Sequence, residues 1–373
     1  MSEDTKIWYG LAGVVADDTA ISKVMPETNS LTYRGYAVQD LCARRSWLDV
    51  AWLLWQGELP SKAELDGFKA WESAHREISE DLIAVIGHFP SFAHPMDTIR
   101  TCISFLGMED KDNWSHDPAA LMEKSWSMFA RIPSMIATDY RFRKGLPRIA
   151  PDPRLGYTEN FFHMCFGEVP DAAVIRCFDI SMILYAEHSF NASTFTARTI
   201  ASSLSDIYAA VTGGIASLKG PLHGGANEAV MHMLKEIGSP DNAEAWIRDA
   251  FATKKKIMGF GHRVYRNGDS RVPTMTQAFH DLVKVKGGDE LVEIETILAR
   301  VMLEEKGIHP NLDYPAGPSY YLMGFDIDMF TPIFVMSRIT GWTAHVMEQL
   351  AANKLVRPLS NYTGVPQREV PAA

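Results

Sequence analysis

An all-α architecture follows from three features of this 373-residue chain. Apolar residues recur at steps of three and four along much of its length. No convincing series of strands with alternating apolar and polar residues accompanies them. The periodic segments are separated where Gly, Pro, Asn and Asp cluster.

Taken in order, Leu48, Trp52 and Trp55 fall at i, i+4, i+7 and predict an early helix. Val174, Phe178, Met182 and Tyr185 predict a second, strongly apolar one. Ile200, Leu204, Ile207, Val211, Ile215 and Leu218 continue at helical steps for about five turns. Leu291, Ile294, Leu298 and Val301 do the same on an acid-rich helix. Breaks are expected at 88–95, 107–118, 145–156, 238–242, 267–273 and 307–318. The acid-rich stretch 107–118 has no period and reads as a surface loop. There are no solenoid repeats and no low-complexity tract. The length suits one large core plus a smaller lobe, so two domains are expected.

Hydrophobic residues make up 46% and charged residues 22%, an ordinary soluble composition. Met1-Ser2-Glu3-Asp4 offers neither a basic region nor an apolar signal core, and no apolar run approaches the roughly 18 residues of a membrane helix. A cytoplasmic protein without a membrane partner is the expectation. The net charge of −10 argues against nonspecific nucleic-acid binding. Cys42, Cys102, Cys165 and Cys177 lie far apart, without zinc or disulfide spacing, and receive no role.

Against that acidic background, residues 251–271 hold six basic side chains (Lys254, Lys255, Lys256, Arg263, Arg266, Arg271) and one acid, Asp269, a local balance of +5. A basic, glycine-threaded island suits a phosphorylated or carboxylated ligand. His262 stands inside it, in Gly259-Phe260-Gly261-His262-Arg263. His223 stands in a second glycine-rich turn, Pro221-Leu222-His223-Gly224-Gly225-Ala226-Asn227-Glu228. A helix starting near Asn227 would aim its positive end at His223, disfavour imidazolium and leave a neutral donor for a carbonyl oxygen.

Further polar residues interrupt apolar surroundings: a polar quartet within Tyr185-Ala186-Glu187-His188-Ser189-Phe190-Asn191-Ala192-Ser193 that interrupts a buried helix, Asp313 in a stiff loop between prolines, Arg338 inside an apolar helix, and Arg357 before Pro358. Bland readings stand beside these, with Asp313 as a helix cap and Arg338 in a structural ion pair. His94, His163, His232 and His345 read as structural. Glu187, His188, His223 and His262 could be drawn together as metal ligands, but no H-x-x-x-H or H-E-x-x-H pair exists, so no metal is expected. Gly259-Phe260-Gly261 does not complete a dinucleotide fingerprint, and there is neither a P-loop nor a nucleophile elbow.

In this order, the pieces resemble the citrate synthase family from Leu31-Thr32-Tyr33-Arg34-Gly35-Tyr36 to Arg357-Pro358. The carrying motifs are Glu187-His188-Ser189-Phe190-Asn191-Ala192-Ser193, Gly220-Pro221-Leu222-His223-Gly224-Gly225-Ala226-Asn227-Glu228, Gly259-Phe260-Gly261-His262 and Asn311-Leu312-Asp313. The branch most similar is that of the bacterial 2-methylcitrate synthases, many of which also make citrate.

The resemblance implies an all-α homodimer. Residues 1–220 and 325–373 would form a large dimer-forming domain, and 221–324 a small domain that closes over the substrates. The enlarged, NADH-regulated members carry an extra N-terminal domain, which is not expected here, so a dimer is. The implied reaction joins acyl-CoA to oxaloacetate in the methylcitrate or tricarboxylic acid cycle, with coenzyme A thioester as a substrate and no resident cofactor. By resemblance, Asp313 is the base that removes the acyl α-proton, His223 the donor to the thioester oxygen and His262 the donor to the keto oxygen. His188, Arg271, Arg338 and Arg357 match the oxaloacetate set, Arg357 coming from the partner subunit. Lys256, Ile257, Met258, Gly259 and Phe260 match the coenzyme A loop.

After Asn311-Leu312-Asp313, many relatives carry an aromatic residue, then Tyr, Ser and Gly; here Tyr314-Pro315-Ala316-Gly317 follow. The acyl tail is accordingly expected to lie against Tyr185, Leu312 and Tyr314. Three other readings remain: a dedicated citrate synthase, a non-catalytic nucleotide- or nucleic-acid-binding helical module using the basic island, and a scaffold whose polar residues are structural.

Overall fold

The computed structural model describes residues 7–262, 264–265 and 267–372. Arg263 and Arg266 of the basic island, and Met1-Ser2-Glu3-Asp4, lie outside the described residues. The described chain is built from sixteen α-helices. The first half holds α1 (Val38–Arg44), α2 (Trp47–Gln56), α3 (Lys62–Ala74), α4 (Glu80–Gly87), α5 (Pro95–Glu109), α6 (Pro118–Arg143), α7 (Tyr157–Phe166) and α8 (Ala172–Tyr185). The second half holds α9 (Ala192–Ser202), α10 (Ile207–Leu218), α11 (Ala226–Ile237), α12 (Pro240–Ala252), α13 (Val272–Lys286), α14 (Asp289–Lys306), α15 (Asp313–Leu322) and α16 (Phe330–Ala351). None of these helices is long and apolar enough to cross a membrane.

Local chemistry sets the boundaries. Ser46 and Ser61 form capping boxes with Asp49 and Glu64 at the starts of α2 and α3, satisfying amides that lack intrahelical partners. Gly57 ends α2 and Gly167 ends α7, both in the left-handed region that a Cβ disfavours. Leu48 and Trp55 of α2 are buried, as are Val174, Phe178, Met182 and Tyr185 of α8 and Ile294, Leu298 and Val301 of α14.

The structure corrects three expectations. First, a small antiparallel sheet precedes the helices: β1 (Ser22–Met25), β2 (Ser30–Tyr33) and β3 (Tyr36–Ala37), in the order β1-β2-β3. Leu31 and Tyr33 of β2 are buried while Ser30 and Thr32 are half-buried, an alternation too short to stand out in sequence. Second, the run from Ile200 to Leu218 is two helices. Leu204 sits between them at φ 66°, exposed, and Asp206 starts α10 by accepting from Ala209 N at 2.9 Å. Third, Asp313 is not in a loop. It is the first residue of α15, which tolerates Pro315 because first-turn amides have no helical acceptor.

The deepest element is α16, buried on all sides against α2, α5, α6, α8, α9, α10 and α11. One of its faces carries Arg338, Trp342 and His345, at i, i+4 and i+7. Elsewhere α12 packs on α14, and α15 on both α11 and α13, with α13 also against α8. These contacts bring the turns before α9, α11, α13 and α15 toward the middle of α16.

Candidate active site

The turn between α8 and α9 is held from outside. Tyr33 of β2 places its hydroxyl, with one proton to donate, 2.9 Å from Glu187 O and 3.0 Å from Ile183 O, and accepts from Glu187 N at 3.2 Å. Carbonyls at the end of α8 are thereby satisfied. Asn191 caps α9 by accepting from Thr194 N at 3.0 Å. Glu187 and His188 are consequently buried between two helices. His188 Nε2 has no hydrogen-bond partner there, and burial, with Arg271 next, holds the ring well below its usual pKa.

The turn carrying His223 closes through His223 N to Gly220 O and Gly224 N to Leu218 O, both 2.9 Å. A Cβ on Gly224 would lie 2.5 Å from Leu218 O, so glycine is required. His223 Nε2 accepts from Ser193 N at 3.2 Å, with the Ser193 hydroxyl at 2.8 Å; that hydroxyl in turn accepts from Trp342 Nε1 at 3.0 Å. A backbone amide can only donate, so the ring proton belongs on Nδ1. Burial lowers the His223 pKa to about 3, with Arg338 adding to it. The ring is neutral as expected, but burial and a guanidinium account for this where the sequence pointed to the dipole of α11.

His262 and Asp313 arrive on loops that pair with each other. Gly261 N donates to His309 O and Asn311 N to Gly259 O, both at 2.9 Å, and Asn311 Nδ2 donates to Gly261 O at 3.0 Å. Gly259, at φ 81°, has no room for a Cβ, which would lie 2.8 Å from the Tyr314 ring. His262 Nδ1 accepts from Val264 N at 3.0 Å and Tyr265 N at 3.2 Å, which puts its ring proton on Nε2. Burial, then Arg271, lowers its pKa to about 4. The His262 ring lies 5.0 Å from that of His188 and 4.8 Å from that of Tyr265.

Arg271 forms a buried two-pronged pair with Asp269, at 2.9 and 2.7 Å. Asp269 also accepts from Leu312 N at 3.2 Å, so it ties the Arg271 turn to the start of α15. Burial alone would raise the Asp269 carboxyl; Arg271 holds it well below the usual range. Sequence reasoning counted Asp269 only as the lone acid of the island and gave Tyr265 no role. The Asp-x-Arg spacing was the available signal, because it lets one side chain fork onto the other.

Asp313 accepts from Tyr185 Oη at 2.7 Å. Its side chain makes no helix cap. Burial raises its pKa to about 6, opposed by the Tyr185 hydrogen bond and Arg271. Arg338 donates Nε to Tyr185 O at 2.6 Å and lies over the Phe334 ring at 4.7 Å. Burial lowers its pKa to about 10, and Glu187 is the first group opposing that shift. The charge of Arg338 acts on His188, His223 and Asp313 alike.

The structure thus gathers His188, His223, His262, Arg271, Asp313, Tyr185 and Arg338 around one charged interior. Arg357 lies exposed on the segment after α16. Lys256 is exposed, Ile257, Met258 and Phe260 are half-buried, and Lys255 pairs with Glu236. Leu312 is buried, and Tyr314 donates Oη to Glu295 O at 2.8 Å and packs 4.6 Å from the Phe260 ring. Among the described residues no three His, Cys, Asp or Glu side chains are grouped to hold a metal ion.

The family model for citrate synthase, C-terminal domain, matches residues 10–359. The 2-methylcitrate synthase of Mycobacterium tuberculosis is 59% identical over 371 residues, covering 100% of this chain and 94% of that protein. The citrate synthase of Mycolicibacterium smegmatis is 56% identical, covering 99% of this chain and 98% of its own. Among solved structures, Thermoplasma acidophilum citrate synthase in ternary complex with carboxymethyl coenzyme A and oxaloacetate superposes with a TM-score of 0.92. That match has 30% identity and covers 98% of each chain. A helical scaffold and relatives of more than half identity, both spanning nearly the whole sequence, lead to one assignment: the chain belongs to the citrate synthase family.

Proposed function

We propose that this protein is an acyltransferase that condenses propionyl-CoA or acetyl-CoA with oxaloacetate and water, giving 2-methylcitrate or citrate plus coenzyme A. One observation carries the assignment of roles. Each of the two neutral imidazoles has one ring nitrogen occupied by backbone N–H, so each presents an N–H at the other nitrogen, and the arginines whose charge acts on these rings, Arg338 on His223 and Arg271 on His262, both act on the Asp313 carboxyl poised at about 6. Neutral donors plus a tuned base are what enolisation of a thioester needs.

In that reading Asp313 takes the α-proton of the acyl group while His223 Nδ1–H bonds the thioester oxygen as negative charge builds on it. The α-carbon attacks the keto carbon of oxaloacetate, and His262 Nε2–H meets the keto oxygen that becomes the tertiary hydroxyl. Water then cleaves the thioester and coenzyme A leaves. Arg271 and Arg338, with Arg357 from the partner subunit of a homodimer, hold the two carboxylates, for which guanidinium forks are suited; His188 binds beside them. Residues 256–260 cradle coenzyme A. Residues 221–324 form the small domain, whose closure on the rest of the chain shuts out water that would quench the carbanion. The protein works in the cytoplasm, in the methylcitrate or tricarboxylic acid cycle.

Thiol release with oxaloacetate and each thioester tests this. A binding module or scaffold releases none. Propionyl-CoA and acetyl-CoA differ by one methylene, a difference of about 1–3 kcal/mol, so a pocket admitting propionyl admits acetyl. The two kcat/KM values are expected within about 10³ of each other, and a wider gap would mark a dedicated enzyme for one of them.

The pH profile gives a second test. Asp313 must be ionised to act, so activity falls as pH drops through about 6. His223 and His262 do not charge until about 3 and 4, so among the proposed catalytic residues the limb near 6 belongs to Asp313. The Tyr185 hydroxyl favours the carboxylate, so Tyr185→Phe raises the Asp313 pKa and moves this limb to higher pH. A limb that stays put in Tyr185→Phe removes Asp313 as its source.

A further inference from the structure

Behind His188 lies a second histidine that the proposed chemistry does not use. His345 of α16 is fully buried, and its Nε2 is 2.9 Å from Glu187 Oε1. On the other side of the ring, Arg198 Nη1 lies 3.1 Å from His345 Nδ1. A guanidinium can only donate, so Nδ1 accepts and the His345 proton sits on Nε2, directed at Glu187. Arg198 itself is fixed by Glu348 at 2.7 Å and Asp17 at 3.0 Å. The ring is therefore held in one orientation from outside.

Glu187 has no access to water, and Gly341 of α16 makes its space. A Cβ at Gly341 would overlap Glu187 Oε2 and lie 2.6 Å from Ala186 O. The carboxylate Oε1 collects two donors, His345 Nε2 and Ser22 Oγ at 2.9 Å, while Oε2 has no hydrogen-bond partner. Burial raises its pKa, and the hydrogen bonds from His345 Nε2 and Ser22 Oγ, with the charge of Arg338, oppose that. Ser22 Oγ also accepts from Ser189 N at 2.9 Å, where Ser189 has the left-handed φ of 54°. His188 is thus flanked on both sides by residues pinned to β1 and α16, while Tyr33 fixes the backbone before it.

We propose that His345 and Glu187 are positioning residues for oxaloacetate: His345 holds the Glu187 carboxylate, which fixes the 187–189 turn and so aims His188 at the dicarboxylate between Arg271 and Arg338. The inference rests on the reading of His188 as an oxaloacetate contact. It assigns no role toward coenzyme A, whose proposed loop, residues 256–260, packs against Tyr314 of α15.

Calorimetry on the full chain, titrating oxaloacetate and coenzyme A separately, tests it without turnover. His345→Leu is expected to weaken oxaloacetate about tenfold, the scale of losing a hydrogen bond to a charged group. Coenzyme A binding stays within about twofold on the same scale. His345→Gln, which offers both a donor to Glu187 and an acceptor to Arg198, restores most of the affinity. Ser22→Ala removes the other donor and shifts oxaloacetate in the same direction; it serves if His345→Leu does not fold. Oxaloacetate affinity unchanged in His345→Leu or in its substitute, loss of both ligands in parallel, or no restoration by glutamine each overturns the proposal. Unsubstituted protein that binds oxaloacetate but releases no thiol would sink the catalytic reading alone, with the affinity split still deciding this one.

Discussion

Asp313→Asn is expected to lower kcat by about 10²–10⁴-fold in thiol release, the range a placed general base contributes. Asparagine keeps the shape and can still accept from the Tyr185 hydroxyl, which bonds Asp313 at 2.7 Å, so the start of α15 should be undisturbed. What disappears is a group able to take a proton. Wild-type Asp313 is suited to that work because burial raises it to about 6, basic enough to accept a proton yet ionised at neutral pH. The substitution should also abolish the acid limb near pH 6, since the residue that titrates there is gone. Circular dichroism and oxaloacetate binding should remain those of the unsubstituted protein. Activity within a few-fold of wild type would reduce Asp313 to a structural residue.

His223→Ala is expected to cost about 10²–10³-fold in kcat, about 3 kcal/mol for one donor aimed at a developing oxyanion. The loss should fall on kcat and kcat/KM together, with little change in acyl-CoA KM, because the hydrogen bond strengthens only as the thioester oxygen gains charge. His223 is a donor by construction: Ser193 N occupies Nε2, burial and Arg338 keep the ring uncharged, and the proton remains on Nδ1. The acid limb near pH 6 belongs to Asp313 and should survive. A large rise in acyl-CoA KM with kcat unchanged would mean that His223 only binds the thioester.

Much of this was legible in the residues. Gly259 and Gly224 advertise close backbone approach, and the structure has no room for a Cβ at either. Arg338 in an apolar helix reads as a buried charge, and it is buried. Other features were hidden because their partners are remote. Glu187 meets His345 across 158 residues and Ser22 across 165, and nothing near His345 in sequence distinguishes it from a core histidine. Leu204 kept the helical period through a turn, so periodicity ran past the break that Asp206 makes. The proline-rich stretch after Asn311 looked like a loop because prolines break helices; here Pro315 stands in the first turn of α15, where it is tolerated, and Pro318 stands inside the helix.

By itself the sequence determined the helical class, the glycine turns and the set of ionisable side chains, since period, φ > 0 and charge are local properties of residues. The tertiary structure alone decided which nitrogen of His223 carries its proton and that the Asp313 carboxyl is poised near 6. For His223 the donor comes from α9 and for Asp313 from Tyr185 of α8, with burial acting on both, and distance in space cannot be read from distance along the chain.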